Sequence, residues 1–276
     1  MSTVIRRATP NARLASRLAL VKRLSVREIT MRYKGSVLGI LWSLLTPLLL
    51  LSIYVFVFGH VFQSRWRGEG IGDASGSMSQ FAIILFTGLT TFQLFSDAIT
   101  RAPTLILGHK NFVKKVVFPL EILPAVLVST SLFQYCVSMV VVFVVILAAQ
   151  GGISPWALLL PLIVAPLLLL MLGLTAALAA LGLYLRDITQ FIGTAVSALL
   201  FLSPVFYSRA GLPPLMAQVY LFNPITIPVE QARKVLIWGE APDFGVLGIY
   251  MLVSLSVAIG GFALFQKLRR GFADVL

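Results

Sequence analysis

The stretch ILPAVLVSTSLFQYCVSMVVVFVVILAAQGGISPWALLLPLIVAPLLLLMLGLTAALAALGLYL, residues 122–185, decides the class of this protein. It contains no Asp, Glu, Lys or Arg over 64 residues. A helix needs about 20 apolar residues to cross a bilayer, so the stretch has room for two spans. The segment QGGISP at 150–155 supplies the turn residues expected between them. We therefore predict membrane-spanning helices over residues 119–149 and 155–185.

Four shorter runs almost free of charged residues flank this stretch and predict further spans over residues 37–62, 79–98, 188–208 and 244–266. Each run is close to the length that a helix needs to cross the hydrocarbon core. The predicted fold class is therefore an all-α integral membrane protein with six transmembrane helices in a single domain, residues 1–276.

Residues 209–243 connect the last two predicted spans and do not fit a seventh one. Their apolar sequence is interrupted by Pro213, Pro214, Pro224 and Pro228, which break any continuous helix. We predict an external re-entrant segment of broken helices, because irregular backbone at membrane depth needs cover from protein or a watery cavity. The alternative is a surface loop that lies among the lipid headgroups.

The composition excludes an ordinary soluble globule, since 58% of the residues are hydrophobic and only 12% are charged. Soluble domains carry about 25% charged residues. With the N-terminus placed in the cytoplasm, the inside segments hold 17 Lys and Arg and the outside segments hold five. This asymmetry follows the positive-inside rule. We therefore predict a multi-pass protein of the cytoplasmic (inner) membrane, with both termini cytoplasmic and no nucleic-acid partner.

Residues 11–33, which precede the first span, alternate cations with apolar residues. Leu14, Leu18 and Val21 fall at helical spacing, while Arg13 and Arg17 lie largely elsewhere on the helical wheel. Such a helix suits the membrane surface, with its apolar side toward the lipids and its cations at the headgroups. The alternative is a solvated basic arm.

The sequence lacks the residue patterns expected for catalysis, nucleotide binding or metal binding. The sequence has no Gly-Lys dipeptide and therefore no phosphate-binding loop of the G-x-x-x-x-G-K-[ST] type. His60 and His109 are predicted on opposite sides of the membrane, which argues against a metal site. We predict neither a catalytic residue nor a cofactor in this chain.

The predicted cytoplasmic loop over residues 101–118 contains the amphipathic segment NFVKKVVFP at 111–119. A short helix in a compact loop suits the docking of a cytoplasmic partner. The alternative is an interfacial helix that lies at the headgroups.

Six segments in register resemble the ABC-2-type permeases that export O-antigen, capsule-like polysaccharide and teichoic acid. The first is the opening segment 27–47, which contains REI at 27–29 and MRYKGSVLGILWSLLTP at 31–47, and the second is NFVKKVVFPLEILP at 111–124. The others are LRDI at 185–188, LSPV at 202–205, FNP at 222–224 and RRGFAD at 269–274. The chain departs from many relatives at Thr90-Thr91-Phe92, where a Pro-Trp pair is common.

The resemblance implies a homodimer with six helices in each subunit, paired with two copies of a soluble nucleotide-binding ATPase subunit that binds ATP and Mg²⁺. The substrate of the exporter is expected to be a glycan carried on an undecaprenyl-type lipid. O-antigen is the favoured glycan, and teichoic acid or capsule polysaccharide are the alternatives. The residues expected to couple to the ATPase are Asn111, Phe112, Lys114, Lys115, Arg186 and Asp187. The residues expected in an external gate are Pro213, Pro214, Asn223, Pro224 and Glu230.

Aromatic residues near span ends are candidates for a glycan path, because sugar C–H faces pack on aromatic rings. These candidates are Trp42, Tyr54, Phe92, Phe95, Phe206 and Tyr207. Trp and Tyr are also enriched at membrane interfaces without any binding role.

Two other functional classes compete with the exporter subunit. A membrane-bound glycosyl- or acyltransferase needs a cluster of carboxylates or a His on one membrane face, and here such residues are scattered singly. A passive channel has no need of a cytoplasmic docking helix.

Overall fold

The computed structural model describes residues 10–57, 78–114, 118–206 and 223–275, and within these ranges all regular elements are helical. We number the α-helices in chain order. They are α1 (Pro10–Tyr33), α2 (Trp42–Tyr54), α3 (Met78–Arg101), α4 (Leu105–Gly108), α5 (Lys110–Lys114), α6 (Leu123–Gln150), α7 (Leu160–Tyr184), α8 (Ile188–Leu202), α9 (Thr226–Arg233), α10 (Phe244–Arg269) and α11 (Phe272–Val275). Short 3₁₀ segments precede α2, α4, α6 and α7, and a π-helical turn, Lys234–Trp238, continues α9.

Five helical stretches in the described ranges are long and apolar enough to cross a membrane, so the chain is a multi-pass membrane protein. Their bounds are Gly39–Val57, Gln80–Gly108, Leu120–Gln150, Pro155–Tyr184 and Phe244–Arg269. The predictions for the first, third, fourth and last spans differ from these bounds by a few residues at most, apart from residues 58–62, which lie outside the described residues. The second stretch runs about ten residues beyond the predicted end of its span, because the helix continues past Asp97.

The predicted span over 188–208 is not confirmed as a full crossing. Helix α8 has 15 residues and ends at Leu202, so it is about 22 Å long, whereas the hydrocarbon core is about 30 Å thick. The helix ends there because Pro204 disfavours helical backbone at the residue before it, and Ser203 is indeed extended, with ψ of 154°. Residues 207 and 208 lie outside the described ranges.

Helix α3 is the central element of the bundle, and it packs against α6, α7, α8 and α9. Helices α7 and α10 make the most extensive pairing. They cross at glycines: a Cβ atom at Gly173 would lie 2.6 Å from Ala258 Cα, and one at Gly261 would lie 2.8 Å from Gly173 Cα. Small residues let membrane helices approach closely and gain packing that lipids do not provide.

The turn between α6 and α7 lies where the sequence predicts it. Gly151 ends α6 in the left-handed conformation, with φ of 72°, which a residue without a Cβ atom adopts at little cost. Ser154 then begins the next helical segment, and its Oγ accepts a hydrogen bond from the backbone N–H of Trp156.

Two elements outside the long spans position the candidate site. Helix α1 lies along α6, which fits the predicted helix over residues 11–33, although its place at a membrane surface stays a prediction. Helix α9 and the turn after it are buried, with Val229, Ala232, Val235 and Leu236 nearly inaccessible. This described part of the segment 209–243 therefore packs inside the protein and is not an exposed loop.

Candidate substrate cavity and coupling region

A cavity of about 290 Å³ lies among α2, α3, α6 and the end of α1. Helix α3 contributes Phe86, Thr90, Gln93 and Asp97 to its wall. These four residues repeat at intervals of three and four, so they form one stripe along the helix. The stripe is polar at one end and apolar at the other, which gives the cavity an amphipathic lining.

Asp97 is the centre of a polar cluster at one end of the cavity. Its Oδ2 accepts a hydrogen bond from Ser131 Oγ at 2.6 Å and one from Arg101 Nη1 at 3.4 Å. Its Oδ1 accepts from Arg32 Nη2 at 3.4 Å. Two cations and a hydroxyl therefore hold the carboxylate, which joins α1, α3 and α6. The acidic side chain is satisfied by protein, as an ionisable group near membrane depth requires.

Gln134 of α6 fixes the corner between α1 and α2 against the cavity. Its Oε1 accepts a hydrogen bond from the hydroxyl of Tyr33 at 3.0 Å, and its Nε2 donates to the carbonyl of Ser43 at 2.7 Å. One amide thus binds the last residue of α1 and the first turn of α2. This arrangement keeps Trp42, which begins α2, at the mouth of the cavity.

The structure separates the aromatic residues that the sequence proposes for a glycan path. Trp42 and Tyr54 both line the cavity. Phe92 and Phe95 lie in the hydrophobic core, 5% and 2% exposed, because they project from other faces of α3 than the stripe of Phe86 to Asp97. Phe206 packs against the core and stacks on Phe201, with 6.2 Å between ring centroids. Tyr207 lies outside the described residues.

The predicted coupling loop is helical, and α5 occupies Lys110–Lys114. Asn111 is exposed. Phe112 stacks between His109 and Phe118, with centroid distances of 5.7 and 4.4 Å. The Lys114 side chain and Lys115 lie outside the part of the chain that the structure describes.

The turn Arg186-Asp187 between α7 and α8 is exposed and borders an open surface groove of about 410 Å³. It is therefore accessible to a partner, as the coupling prediction requires. No ion pair is described for either residue.

His109 links the coupling loop to α1. Its Nδ1 lies 2.9 Å from the Leu105 carbonyl, and its Nε2 lies 3.4 Å from Glu28 Oε1. Both ring nitrogens face acceptors, and only the imidazolium form donates from both. The hydrogen bond to Glu28 raises the pKa of His109 above its ordinary value, against the opposing effects of burial and of the Arg27 charge. Arg101 Nη2 lies 3.9 Å from Glu28 Oε2 and continues the network toward Asp97.

A second ionic cluster joins both ends of the chain to the start of α6. Glu121 pairs with Arg17 at 3.4 Å and with Arg269, and Gln266 donates to it at 2.9 Å. Helices α1, α6 and α10 are therefore tied together on the same side of the bundle as α5.

Arg233 is the most deeply buried charged residue in the described ranges, only 1% exposed. Its guanidinium donates to the carbonyls of Ile84 at 3.0 Å, Val205 at 2.9 Å and Pro204. Gly88 of α3 provides the space, because a Cβ atom there would overlap the guanidinium. Arg233 thus connects α9 to the centre of α3 and to the irregular backbone after α8.

Some of the residues proposed for an external gate lie outside the residues that the structure describes. Pro213 and Pro214 are not described. Asn223 is buried, and its amide donates to Ser203 Oγ while its Oδ1 accepts from the Ile225 N–H. The carbonyl of Pro224 accepts a hydrogen bond from the Tyr250 hydroxyl at 2.8 Å, and Glu230 is half-buried on α9.

Sequence reasoning missed the polar residues that organise these regions. Asp97 falls at the end of the predicted span 79–98, and Arg233 falls in the predicted external segment 209–243. The recurrence of Thr90, Gln93 and Asp97 on one face of an apolar helix was a usable signal, because polar residues in a span face protein or water. No comparable sequence pattern predicted that Arg233 is buried.

Long apolar helices, an ordered loop helix and a cavity with an amphipathic lining are features expected of the membrane subunit of a transporter. The chain belongs to the ABC-2 type transporter family, whose model matches residues 19–237. Members of this family are permease subunits that pair with a nucleotide-binding ATPase, so the expectation of a transport subunit and not an enzyme is confirmed.

Curated relatives of similar length match nearly the whole chain. The chain is 24% identical over 252 residues to the "O-antigen export system permease protein RfbA" of Klebsiella pneumoniae, covering 91% of this chain and 92% of the relative. It is 26% identical over 251 residues to the protein of the same name from Myxococcus xanthus, covering 90% and 92%. It is 24% identical over 250 residues to the "Polysialic acid transport protein KpsM" of Escherichia coli, covering 89% and 92%.

Proposed function

We propose that this chain is the membrane-spanning permease of an exporter that moves lipid-linked polysaccharide, most of all O-antigen, across the cytoplasmic membrane. The observation that carries the proposal is the similarity to O-antigen export permeases over nine-tenths of both chains. The expected carrier is an undecaprenyl-type lipid. A capsule-type glycan is the second candidate, because a polysialic acid transport protein is also similar. A teichoic acid has no such support.

Deletion of this chain in its native host tests the proposal. The glycan should disappear from the cell surface and accumulate, attached to its lipid, on the cytoplasmic side of the membrane. Expression of the chain from a plasmid should restore surface glycan, and the same plasmid in a strain that also lacks the partner ATPase should not. Normal surface glycan in the deletion strain would contradict the proposal.

We further propose a homodimer in which each subunit crosses the membrane six times, with α8 as the short fifth crossing. Five crossings place the termini on opposite sides, whereas both terminal regions are basic and favour the cytoplasm. Helices α2 and α8 carry large exposed apolar residues such as Leu49, Phe191 and Phe201, and a partner subunit or lipid must cover them. Cysteines introduced at Lys110 and Gly239 should be labelled from opposite sides in a Cys136→Ser background.

The loop helix α5 is proposed to dock on the ATPase. Phe112 is fixed by two ring contacts, and His109 beside it is bound to α1, so a force on α5 reaches the membrane-spanning part directly. Replacing Lys114 and Lys115 by Glu should weaken association with the ATPase while the protein still inserts. The matched control is the same change at Lys267, which lies on α10. Normal export and normal ATP turnover in the double variant would contradict docking through α5.

The segment around α9 is proposed to close the external mouth as a re-entrant gate. Its support is the burial of α9 and the binding of Arg233 to three carbonyls outside α9. Deletion of residues 212–222 leaves α9 and Arg233 in place. Cells with this deletion should become permeable to small solutes at rest, and cells that remain tight would contradict a gating role.

A further inference from the structure

We infer that the cavity among α2, α3 and α6 binds one neutral sugar unit of the transported glycan. Its hydrogen-bonding groups are Gln93, Asp97 and Arg32, and its stacking surface is Trp42. The inference rests on the proposed function, because it assumes that the cargo is a polysaccharide. It adds a specific binding site that lies within one subunit.

The size of the cavity limits what it holds. Its volume of about 290 Å³ lies just below the range of about 300–1,000 Å³ for small-molecule sites. Such a space accommodates one or two sugar rings, whereas a folded stretch of polymer needs much more. The cavity therefore fits a unit of the chain and not the chain as a whole.

The polar groups in the cavity offer both donors and acceptors to sugar hydroxyls. Gln93 is exposed there, and its side-chain amide has no hydrogen-bond partner within the described part of the chain. Asp97 accepts three hydrogen bonds, and a carboxylate has about four lone-pair sites, so it accepts one more. Arg32 uses one of its five N–H groups on Asp97 and keeps others for a ligand.

An aromatic ring supplies the apolar half of the recognition. Trp42 is 40% exposed and lines the same cavity as Gln93. Tyr54 also lines the cavity, but it lies at the other end of α2, about 18 Å away, which is too far for one sugar ring to contact both. The C–H face of a pyranose packs on such a ring, and its hydroxyl edge then turns toward the amide and the carboxylate. A wall with one aromatic side and one polar side matches the two faces of a sugar ring.

The charge of the site favours a neutral ligand over a phosphate. Arg32 is already paired with the Asp97 carboxylate, and Arg101 pairs with both Asp97 and Glu28. An anionic group that enters the cavity would be repelled by the Asp97 carboxylate, and the charge of Arg32 that would attract it is already balanced by that carboxylate. Neutral glycosides are therefore expected to bind more strongly than sugar phosphates.

Saturation-transfer NMR on the permease–ATPase complex in lipid nanodiscs tests the inference. The probes are methyl α-D-mannoside, methyl β-D-galactoside and methyl N-acetyl-β-D-glucosaminide, with mannose 6-phosphate as the anionic comparison. At least one neutral glycoside should receive saturation through its ring C–H protons. Gln93→Leu should weaken its binding by about threefold to tenfold, as expected for the loss of one amide hydrogen bond, and Trp42→Leu should reduce the transferred saturation strongly.

Matched variants outside the cavity provide the controls. Trp156 is 41% exposed, nearly the same as Trp42, and Gln190 is exposed on α8. Trp156→Leu and Gln190→Leu should bind the glycoside like the unaltered complex. Thermal melting of all four variants checks that each is folded. The inference is overturned if no neutral glycoside binds, if mannose 6-phosphate binds more tightly, or if cavity and control variants behave alike.

The result is separable from the proposed function. Surface glycan in the deletion strain decides whether the chain exports polysaccharide, and that readout does not depend on any cavity residue. If export requires the chain while Gln93→Leu and Trp42→Leu leave glycoside binding unchanged, the cavity inference fails and the exporter assignment stands. If export does not require the chain, both fail.

Discussion

Helices α2 and α3 are both long enough to span the membrane with the segments next to them, yet they differ sharply in burial. In the most apolar 18-residue window of each, 78% of the residues around α3 are buried, against 17% around α2. The more apolar of the two is α2. In a water-soluble protein the more apolar helix would be expected inside.

Polar side chains explain the reversed order. Helix α3 carries Thr87, Thr90 and Thr91, which are buried, and Asp97, whose carboxylate is held by Ser131 of α6. Exposed residues of α2, such as Leu49 and Ile53, are compatible with lipid tails, so the hydrophobic effect does not drive them inward. The comparison teaches that in this chain burial follows the polar residues, and apolar helices remain at the periphery.

The largest effect is expected at Arg233, which binds α9 to the centre of α3. Arg233→Met leaves three carbonyl groups without their charged donor and should lower the free energy of unfolding by about 3–5 kcal/mol. Thermal melting in detergent measures the change. The adjacent Lys234, whose pair with Glu240 is half-exposed, is the control, and Lys234→Met should cost less than about 1 kcal/mol. Equal losses of stability in Arg233→Met and Lys234→Met would show that the buried polar contacts of Arg233 do not hold α9 to α3.

A leucine pair tests α2 and α3 directly. Leu94 of α3 is 2% exposed, and Leu49 of α2 is 53% exposed. Leu94→Ala should destabilise the protein by about 2–5 kcal/mol because it leaves a cavity in the core. Leu49→Ala should have little effect, since lipid fills the space. Comparable melting temperatures for the two variants would show that α2 is as well packed as α3.

Adjacent glycines in α10 test the same contrast within one helix. A Cβ atom at Gly261 would overlap the backbone of α7, whereas one at Gly260 meets nothing within 4 Å. Gly261→Ala should destabilise by about 1–3 kcal/mol through overpacking. Gly260→Ala should be neutral or slightly stabilising, because Ala has the higher helix propensity. Destabilisation by both substitutions would contradict the crossing of α7 and α10 at these positions.

The smallest effect is expected at the His109–Glu28 bridge between the coupling loop and α1. The pKa of His109 is raised by Glu28, so the bridge contributes fully below pH 6.5, the ordinary value. Its contribution is lost as the pH rises through the raised pKa. Because both side chains are about one-fifth exposed, the contribution should be about 1 kcal/mol or less.

Melting temperatures measured from pH 5 to 9 test this bridge. The unaltered protein should lose stability above pH 6.5, and Glu28→Gln should flatten that part of the profile. Arg27 and Arg101 face the same pair, but both remain charged over this range and do not contribute to the slope. An unchanged profile in Glu28→Gln would show that His109 does not hold α1 to the loop.

Much of the fold was predictable because hydropathy reports directly on a membrane solvent. The charge-free run 122–185 fixed two spans and their turn, and the structure places α6, Gly151 and α7 accordingly. The end of α8 was predicted too late because the absence of charge was read as helix, although Pro204 stops the helix at Leu202. Counting charged residues detects apolar segments, but it does not detect the residue at which a helix ends.

The candidate site was less predictable, because residue type alone does not give direction. Trp42 and Tyr54 line the cavity, whereas Phe92 and Phe95 point into the core. A helical wheel of α3 drawn through Gln93 and Asp97 would have placed Phe92 and Phe95 off the face that lines the cavity. The partners of Asp97 come from α1 and α6, 65 and 34 residues away in sequence, and no local pattern connects them.

The sequence by itself determined that the chain crosses a membrane repeatedly, that a basic helix precedes the first long span, and that ABC-2-type motifs recur along its length. These properties follow from the free energy of placing each segment in lipid or water, which is a sum over local residues. Tertiary structure alone decided that α3 is central, that Arg233 is buried, and that the end of α1 brings Arg32 to Asp97. These depend on which distant polar groups satisfy one another away from water, and such pairing is a property of the assembled bundle.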